Sequence, residues 1–410
     1  MKQRLLILSD YITPPSYSPR LTALIRYLSE NGWQCTLAAD NPAGQEYTTD
    51  LCLQVNMTYI PAGTSALGRL YKRLADKLFQ ARERQFTNLL ARTFNASDFD
   101  CIFCSAYYFF PLRTAAALSR KWHIPFVLDM RDIVEQWGKT SYFHTPLPKL
   151  CGLEKLLARW YERHNIKLRN RVLRQASAVT TVSPWHQMTL QQITQAPVFC
   201  IYNGYDEREI TPLDKPSDHF DITFAGRLIN LRIRQPEMLF DAVGQLIRNN
   251  QIDAGNIRLN FYCEENLSGE LHALAAQYGM DANLCLHPFV ARSDIQQVIT
   301  DSSILLALGA PASTQQHGIL GTKVFEAIGA EKPFMLVPSD EDALEQLIAE
   351  TGIGIAARTT EDIKTFVLKT YGQWQTQHFT RQPVTDKQLF TRTCQSKQFE
   401  EIFKHLYDNA

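Results

Sequence analysis

The 410-residue sequence contains no run of apolar residues near the roughly 18 that a membrane-spanning helix requires. The apolar stretch 5–8 near the start is too short for a signal peptide, and no small-residue cleavage site follows it. Internal repeats and low-complexity tracts are also missing, which argues against solenoid and disordered classes. We therefore expect a cytoplasmic protein.

Cysteine pairs of the kind that hold zinc are also missing. The nine cysteines are an odd number, and they are scattered through apolar stretches as buried thiols of a reducing compartment would be. The only Cys-x-x-Cys, Cys101 and Cys104, lies in the strand-like segment CIFCS, where alternation sends the two thiols to opposite faces. We expect neither a metal site nor a redox pair there.

Net charge is absent overall, but it differs strongly between the two halves of the chain. Residues 1–200 hold 24 Lys and Arg against 14 Asp and Glu, about +10, which leaves 18 against 28, about −10, for residues 201–410. A basic half favours an anionic ligand or surface as its partner.

Short apolar strands alternate with amphipathic helices along the whole chain, a pattern typical of parallel sheets with helical crossovers. The polar, proline-marked segment 211–218 separates two such series, so we predict a domain boundary near 205–215. The fold class is α/β, with two Rossmann-like doubly wound domains facing a central cleft, where ligands of such sheets bind. The predicted division is residues 1–210, residues 211–384 and a terminal helix at 385–410, whose docking onto the first domain stays open.

The segment HGILGTKVFEAIGAEKPFMLVPSD, residues 317–340, combines a small-residue loop with a helix that begins near Thr322. A helix N-terminus favours phosphate, and Lys323 adds a cation in the first turn. Glu326, one turn further on, could accept hydrogen bonds from ribose hydroxyls. An ordinary capped helix with a solvated Lys323 is the alternative.

Three arginines follow the strand DITFAG, at the end of a strand where a ligand is expected. Arg227 comes directly after the strand, and Arg232 and Arg234 lie in the loop before the next helix. Guanidinium groups suit bidentate contact with phosphate, and Arg227 is the strongest candidate. A solvated loop is the alternative for Arg232 and Arg234.

These segments resemble glycosyltransferase family 4, which has the two-domain GT-B fold. FAGRL followed by an arginine-bearing loop, and GTKVFEAIGAEKPFMLV after it, are similar to the donor-binding half. In the first half, LLILSDYITPPSYSPRLTALIRYLSENGWQCTLAA, FVLDMRDIVEQW, TVSPWHQMTL and IYNGYD are similar to successive motifs of the family in the same order. The resemblance covers nearly the whole chain.

The resemblance implies a retaining sugar transfer from a UDP- or GDP-linked donor, without a metal or other cofactor. Arg227 and Lys323 would stabilise the diphosphate leaving group, with Arg232 or Arg234 as a third contact, and Glu326 would bind the ribose. No protein nucleophile or general base is implied, because the donor phosphate takes the acceptor proton. The remaining donor residues that it implies are Pro288, Phe289 and Val290 at the base, and His317, Gly318, Ile319, Leu320, Gly321 and Thr322 in the loop.

The sequence departs from the family at Gly318, where a Glu that binds the donor sugar is common; His317 could replace it, or could be plain surface. This leaves the identity of the sugar open.

The Asp98-Phe-Asp100 motif precedes a strand, at the wrong end for a metal site.

Acceptor-side candidates follow the strands of the first half: Ser18 and Arg20, then Asp129, Arg131 and Asp132. The alternative for 129–132 is a buried ion-pair corner that fixes the loop.

Two amphipathic segments of the first half are strongly basic. Residues 67–92 hold seven Lys and Arg against two acidic residues, and residues 149–174 hold eight against two. Such helices suit an anionic membrane surface, or else their apolar stripes face the core. We favour the membrane for 67–92 and the core for 149–174. Nucleic acid is not expected, because no aromatic stacking platform accompanies the charge.

The predicted protein is a cytoplasmic glycosyltransferase, peripheral on the inner face of the cell membrane. We expect it to transfer a sugar to a lipid-linked saccharide in cell-surface polysaccharide or lipopolysaccharide biosynthesis. A sugar-nucleotide epimerase of the same fold and a non-catalytic nucleotide-binding partner are the alternatives.

Overall fold

Parallel β-structure organises both halves of the computed structural model. The structure describes residues 3–10, 19–39, 53–55, 80–106, 108–138, 153–310 and 314–408. The chain divides into two units, the first made of Met1–Gln136, Ser141–Tyr202 and Gln395–Ala410, the second of Trp137–Thr140 and Asn203–Cys394. The long segment of the second unit begins at Asn203, a few residues before the predicted boundary.

Each unit contains one sheet whose strands all run parallel. The strands are β1 Arg4–Ser9, β2 Gln34–Ala39, β3 Leu53–Val55, β4 Cys101–Ala106, β5 Phe126–Met130, β6 Ala178–Thr181, β7 Val198–Cys200, β8 Phe220–Ala225, β9 Ile257–Tyr262, β10 Leu284–His287, β11 Ile304–Leu308, β12 Phe334–Val337 and β13 Gly354–Ala356. The first sheet has the order β3-β2-β1-β4-β5-β6-β7, and the second β10-β9-β8-β11-β12-β13. Both orders reverse at one point, between β1 and β4 and between β8 and β11, as in doubly wound folds.

Helices form the crossovers between these strands. The described α-helices are α1 Pro19–Glu30, α2 Ala81–Thr93, α3 Leu112–Trp122, α4 Leu153–Leu173, α5 Pro184–Gln191, α6 Glu237–Arg248, α7 Ser268–Gln277, α8 Ile295–Asp301, α9 Lys323–Ala330, α10 Ala343–Thr351, α11 Thr360–Gln377 and α12 Arg392–Asp408. None of the helices in the described ranges is both long and apolar enough to cross a membrane.

The central strands of the first sheet are buried on both faces. Ile102 and Cys104 of β4 lie in one apolar cluster, and Cys101 and Phe103 lie in another on the opposite face. Because both faces of these strands are buried, their sequences are continuous apolar runs and do not alternate with polar residues. The two clusters also confirm that Cys101 and Cys104 point in opposite directions.

The second unit has its main core on one face of its sheet. Phe220 of β8 contacts Tyr371 and Trp374 of α11, with ring centroids 5.3 and 6.1 Å apart. The alternating burial of β9 fits this arrangement, because every second side chain of that strand is only partly buried.

The C-terminal helix α12 packs into the core of the first unit. Phe399 and Phe403 are almost fully buried, and their rings lie 5.2 and 5.4 Å from the ring of Phe103. The indole of Trp33 donates a hydrogen bond to Glu400 at 3.0 Å. The helix begins at Arg392, later than the predicted 385, because residues 387–390 form a separate 3₁₀ turn.

One of the two basic segments, 149–174, differs from its predicted arrangement. Of the other, 67–92, residues 67–79 lie outside the described residues and helix α2 begins at Ala81, so its membrane contact stays a prediction. In α4 the core placement that we favoured is wrong at Trp160, whose side chain is 54% exposed, while Val172 and Leu173 near the helix end are buried. The first turns of α4 therefore present an apolar surface to solvent.

Replacing Phe403 with alanine should lower the free energy of unfolding by about 3–5 kcal/mol, since it removes a buried ring from the core. Urea denaturation followed by circular dichroism measures the change. Tyr407→Ala, at a 38% exposed position of the same helix, is the control and should cost less than about 1 kcal/mol. Equal losses in the two variants would contradict the packing of α12.

Candidate functional site

A cavity of about 280 Å³ lies at the carboxyl ends of β8 and β11, where the strand order of the second sheet reverses. This is where ligands bind in open parallel sheets. Its lining comes from the ends of β8, β11 and β12 and from the first turn of α9. The lining residues are Phe224, Arg227, Arg234, Ala307, Leu308, Gly309, Ala310, Gln316, Ile319, Gly321, Thr322, Lys323, Val324, Phe334, Leu336, Asp340, Asp342 and Leu344.

Three basic side chains line this cavity: Arg227, Arg234 and Lys323. Arg227 is exposed, whereas Arg234 is half-buried and donates a hydrogen bond to the carbonyl of Leu308. Burial lowers the pKa of Arg234. Like charges held together without a paired carboxylate in the cavity wall favour an anionic ligand.

Local backbone geometry selects Arg234 rather than Arg232 for the cavity. The side chain of Asn230 accepts hydrogen bonds from the backbone of Arg232 and Ile233 at 3.1 and 3.0 Å, which closes a tight turn. Ile229 before it has a positive φ of 65°. The turn leaves Arg232 exposed and outside the cavity lining.

The amine of Lys323 lies beside a glycine that no other residue could replace without movement. A Cβ at Gly226 would lie 1.9 Å from the Lys323 nitrogen, and the Phe224 ring centroid is 5.1 Å from that nitrogen. Burial lowers the pKa of Lys323 to about 8; Glu326 opposes this shift and the positive charge of Arg234 adds to it. A bound anion would restore the charged form.

Thr322 occupies the N-cap position of α9, but its side chain does not cap the helix. Its backbone carbonyl accepts hydrogen bonds from Phe325 and Glu326, both at 3.1 Å. Thr322, Lys323 and Val324 line the cavity, so the positive end of the helix dipole lies at its wall.

Two carboxylates form another part of the wall. Asp340 accepts hydrogen bonds from the backbone of Leu344 and Glu345 at 3.0 Å each, and burial raises its pKa. Asp342 accepts one at 2.5 Å from the backbone of Gly318. Neither residue was predicted from the sequence, although both follow β12, where a strand-end rule could have found them.

The glycine at 318 has a conformational reason. Its φ is +69°, a left-handed conformation in which a glutamate would be strained. The neighbouring His317 places Nδ1 3.5 Å from Asp342 Oδ2. The backbone of Gly318 and the ring of His317 therefore both face the carboxylate of Asp342.

The structure brings together some of the predicted donor residues. Arg227, Ile319, Gly321, Thr322 and Lys323 line the cavity. Within the described residues, the lining does not include Arg232, Pro288, Phe289, Val290, His317, Gly318, Leu320 or Glu326. Pro288 and Phe289 are exposed after the edge strand β10, and Leu320 is buried.

Arg20 and Asp129 form a buried ion pair in the first unit. Their side chains are 5% and 1% exposed, with a nitrogen and an oxygen 3.2 Å apart. Asp129 also accepts hydrogen bonds from Ser105 and Thr180 at 3.0 and 2.8 Å, and Arg20 donates to the carbonyl of Tyr202 at 2.7 Å. The alternative predicted for 129–132 was an ion-pair corner within that segment; Asp129 does form a buried ion pair, but its partner is Arg20 of α1.

The other acceptor-side candidates differ in exposure. Arg131 pairs with Asp10 at 3.1 Å, and each side chain is 13% exposed. Asp132 accepts a hydrogen bond from Gln136 at 2.7 Å, and burial raises its pKa. Ser18 lies outside the described residues.

The Asp98-Phe-Asp100 motif has structural contacts. Asp98 accepts a hydrogen bond from the backbone of Asn95 at 2.7 Å, and Asp100 pairs with Arg4 at 2.6 Å. In the part of the chain that the structure describes, no group of three His, Cys, Asp or Glu residues is arranged to hold a metal ion.

Comparisons with known proteins agree with this architecture. Residues 20–209 match the family model described as Glycosyltransferase Family 4. Among solved structures, sucrose-phosphate synthase from Thermosynechococcus elongatus has a TM-score of 0.64 at 12% identity, with 100% of each chain covered. A glycosyltransferase from Rickettsia africae ESF-5 gives 0.62 at 13%, again over 100% of both chains. HepE of Anabaena, in complex with UDP, gives 0.61 at 16% over 99% of this chain and 100% of the other.

No curated protein sequence matches the chain. The family match confirms the resemblance for residues 20–209, and the similarity to solved structures confirms the GT-B fold.

The pKa of Lys323 can be measured through the reactivity of its amine. Labelling with acetic anhydride over a pH series, quantified by mass spectrometry, should give a midpoint near pH 8. Arg234→Gln should raise the midpoint, since it removes a neighbouring positive charge. Arg232→Gln, outside the cavity, is the matched control and should leave it unchanged. A midpoint near the ordinary 10.5 would rule out the buried amine.

Proposed function

We propose, from the premise that this protein is a glycosyltransferase whose residues 20–209 match Glycosyltransferase Family 4, that it uses a UDP-linked sugar as donor. The acceptor is a lipid-linked saccharide, and the anomeric configuration of the sugar is retained. The reaction needs no metal. The product belongs to a cell-surface polysaccharide, of which lipopolysaccharide is one kind.

One observation carries the donor assignment: Arg227, Arg234 and Lys323 share a cavity with the first turn of α9. These groups suit a diphosphate, whose charge increases as the bond to the sugar breaks. A preorganised donor in such a site is worth about 3 kcal/mol in the transition state. Two arginines and a lysine supply the positive charge that a metal provides in other transferases. UDP is favoured over GDP because HepE was solved with UDP.

The two ends of the donor would meet different parts of the protein. Glu326 lies three residues after Lys323, on the same side of α9, and would accept hydrogen bonds from the ribose. Residues 288–290 would contact the base. Asp342, held by the backbone of Gly318, would accept hydrogen bonds from the sugar hydroxyls in place of the missing glutamate.

In the reaction, the acceptor hydroxyl attacks on the face that the diphosphate leaves. The leaving phosphate oxygen takes the proton of that hydroxyl, so no side chain has to act as base. The protein contributes position and charge: Lys323 and Arg234 hold the phosphates, and their positive charge stabilises the departing diphosphate.

Isothermal titration calorimetry with UDP tests the donor site. Arg234→Gln should weaken UDP binding at least tenfold, about 1.4 kcal/mol, because it removes a phosphate contact. Arg232→Gln should change it less than about twofold. In the unmodified protein, affinity should fall above pH 8, because Lys323 then loses its proton.

Equal effects of the two arginine variants would contradict this site. Turnover separates the related functions: the transferase releases UDP from a UDP-sugar, whereas an epimerase changes the sugar and releases none. A nucleotide-binding partner without activity would do neither with any donor.

We also propose that the first turns of α4 contact an anionic membrane. Leu156 and Trp160 are 62% and 54% exposed, and the neighbouring Arg159 and Arg163 are exposed as well. Exposed apolar residues beside basic ones are typical of helices that lie at a membrane surface. Each basic residue near an anionic bilayer adds about 1 kcal/mol to binding.

Sedimentation with vesicles tests this surface. The double variant Leu156→Ser/Trp160→Ser should bind phosphatidylglycerol vesicles several-fold more weakly, because it loses the apolar contact. Leu389→Ser, which changes a 59% exposed leucine in the second unit, is the control and should bind as before. Unchanged binding of the double variant would contradict the proposed surface.

A further inference from the structure

A second cavity, of about 400 Å³, lies between α2, α3 and α4 of the first unit. Four arginines line it: Arg84 from α2, Arg113 and Arg120 from α3, and Arg171 from α4. They come from three helices that are distant in the sequence, so only the fold brings them together. Nothing in the donor site or in the exposed first turns of α4 accounts for this cluster.

Little of the positive charge of this cluster is balanced within the described residues, where Glu83 interacts electrostatically with Arg113. In the described chain, no carboxylate pairs with the guanidinium groups of Arg84, Arg113 or Arg171. Arg169, two residues before Arg171, shows the contrast: its guanidinium is 1% exposed and donates two hydrogen bonds to Glu135, at 2.7 and 2.6 Å.

Among the described residues of the cavity wall, Glu83 is the one carboxylate, and it already accepts hydrogen bonds from the backbone. Glu83 accepts hydrogen bonds from the backbone of Arg113 and Thr114, at 2.7 and 3.3 Å, and its side chain is buried. Burial raises the pKa of Glu83 to about 7, so its negative charge is incomplete at neutral pH. Like charges gathered at one place repel one another, and an anion between them relieves that repulsion.

Neutral polar groups complete the cavity wall. Arg120 donates a hydrogen bond to Gln175 at 2.9 Å, which holds its guanidinium at the rim, and Asn88 and Thr87 line the same space. A guanidinium group can donate two parallel hydrogen bonds to two oxygens of one phosphate. The cavity is large enough to hold a phosphate group.

We propose that this four-arginine cavity is a binding site for a phosphate-bearing anion. The ligand is either the phosphate of a lipid headgroup or a soluble phosphate compound, since both present the same oxygens. The site lies within the first unit and does not depend on the nucleotide site of the second. Its failure would therefore leave the proposed donor site untouched.

Calorimetry with inorganic pyrophosphate tests the proposal on the full chain carrying Arg234→Gln, because the donor cavity also suits a diphosphate and this change weakens binding there. Arg84→Gln/Arg171→Gln should weaken binding at least tenfold. Arg92→Gln/Lys167→Gln changes two exposed basic residues of the same two helices, which lie outside the cavity and outside the proposed membrane surface, and should weaken it less than about twofold. Because both pairs remove the same charge, the difference isolates the cavity. Absent pyrophosphate binding, or equal losses in the two variants, would overturn the proposal.

Vesicle sedimentation then identifies the source of the phosphate. The site is assigned to a lipid headgroup if the cavity variant binds phosphatidylglycerol vesicles more weakly than the control does, and if neither variant binds phosphatidylcholine vesicles. Equal vesicle binding of the two variants, together with the tenfold loss for pyrophosphate, assigns it to a soluble phosphate compound.

Discussion

The adjacency of β8 and β11 is the constraint on which the donor cavity depends. The carboxyl ends of these two strands are about eighty positions apart in the sequence. Only the pairing of the strands in the sheet brings Arg227 and Leu308 to the same cavity. The same pairing positions Arg234, whose guanidinium donates to the Leu308 carbonyl. In a parallel sheet the carboxyl ends of all strands lie at one edge. Where the strand order reverses, the neighbouring crossovers run to opposite faces of the sheet and leave an opening at that edge.

The chemistry of the cavity follows from how it holds one amine. In its observed position the Lys323 amine occupies the space that a Cβ at 226 would take, so a larger residue at Gly226 would displace the amine. Partial burial and Arg234 make the charged amine less favourable in the free protein. The negative charge of a bound diphosphate would stabilise the charged amine. The unfavourable charge in the free protein therefore favours binding of an anion. The neutral amine that appears above pH 8 would lose this advantage.

The two units use buried charge in opposite ways. In the first, Asp129 at the end of β5 accepts hydrogen bonds from Arg20, Ser105 and Thr180, so its charge is paired within the protein. In the second, no described carboxylate of the donor cavity wall forms an ion pair with Arg227, Arg234 or Lys323. A buried ion pair is costly to break and specifies geometry, whereas clustered like charges point to a ligand.

The sequence alone determined the order of strands and helices, because apolar runs and periodicity are local properties. It also identified Arg227 and Lys323, since each lies directly at the end of a strand or the start of a helix. Tertiary structure decided what depends on distant segments. The Asn230 turn placed Arg234 in the cavity and left Arg232 outside, and the loop before α9 approached Asp342 through a left-handed Gly318. Helix packing gathered four arginines from α2, α3 and α4. Periodicity reports which side of an element is buried, but not which other element covers it, and that is why these contacts appear only in the folded chain.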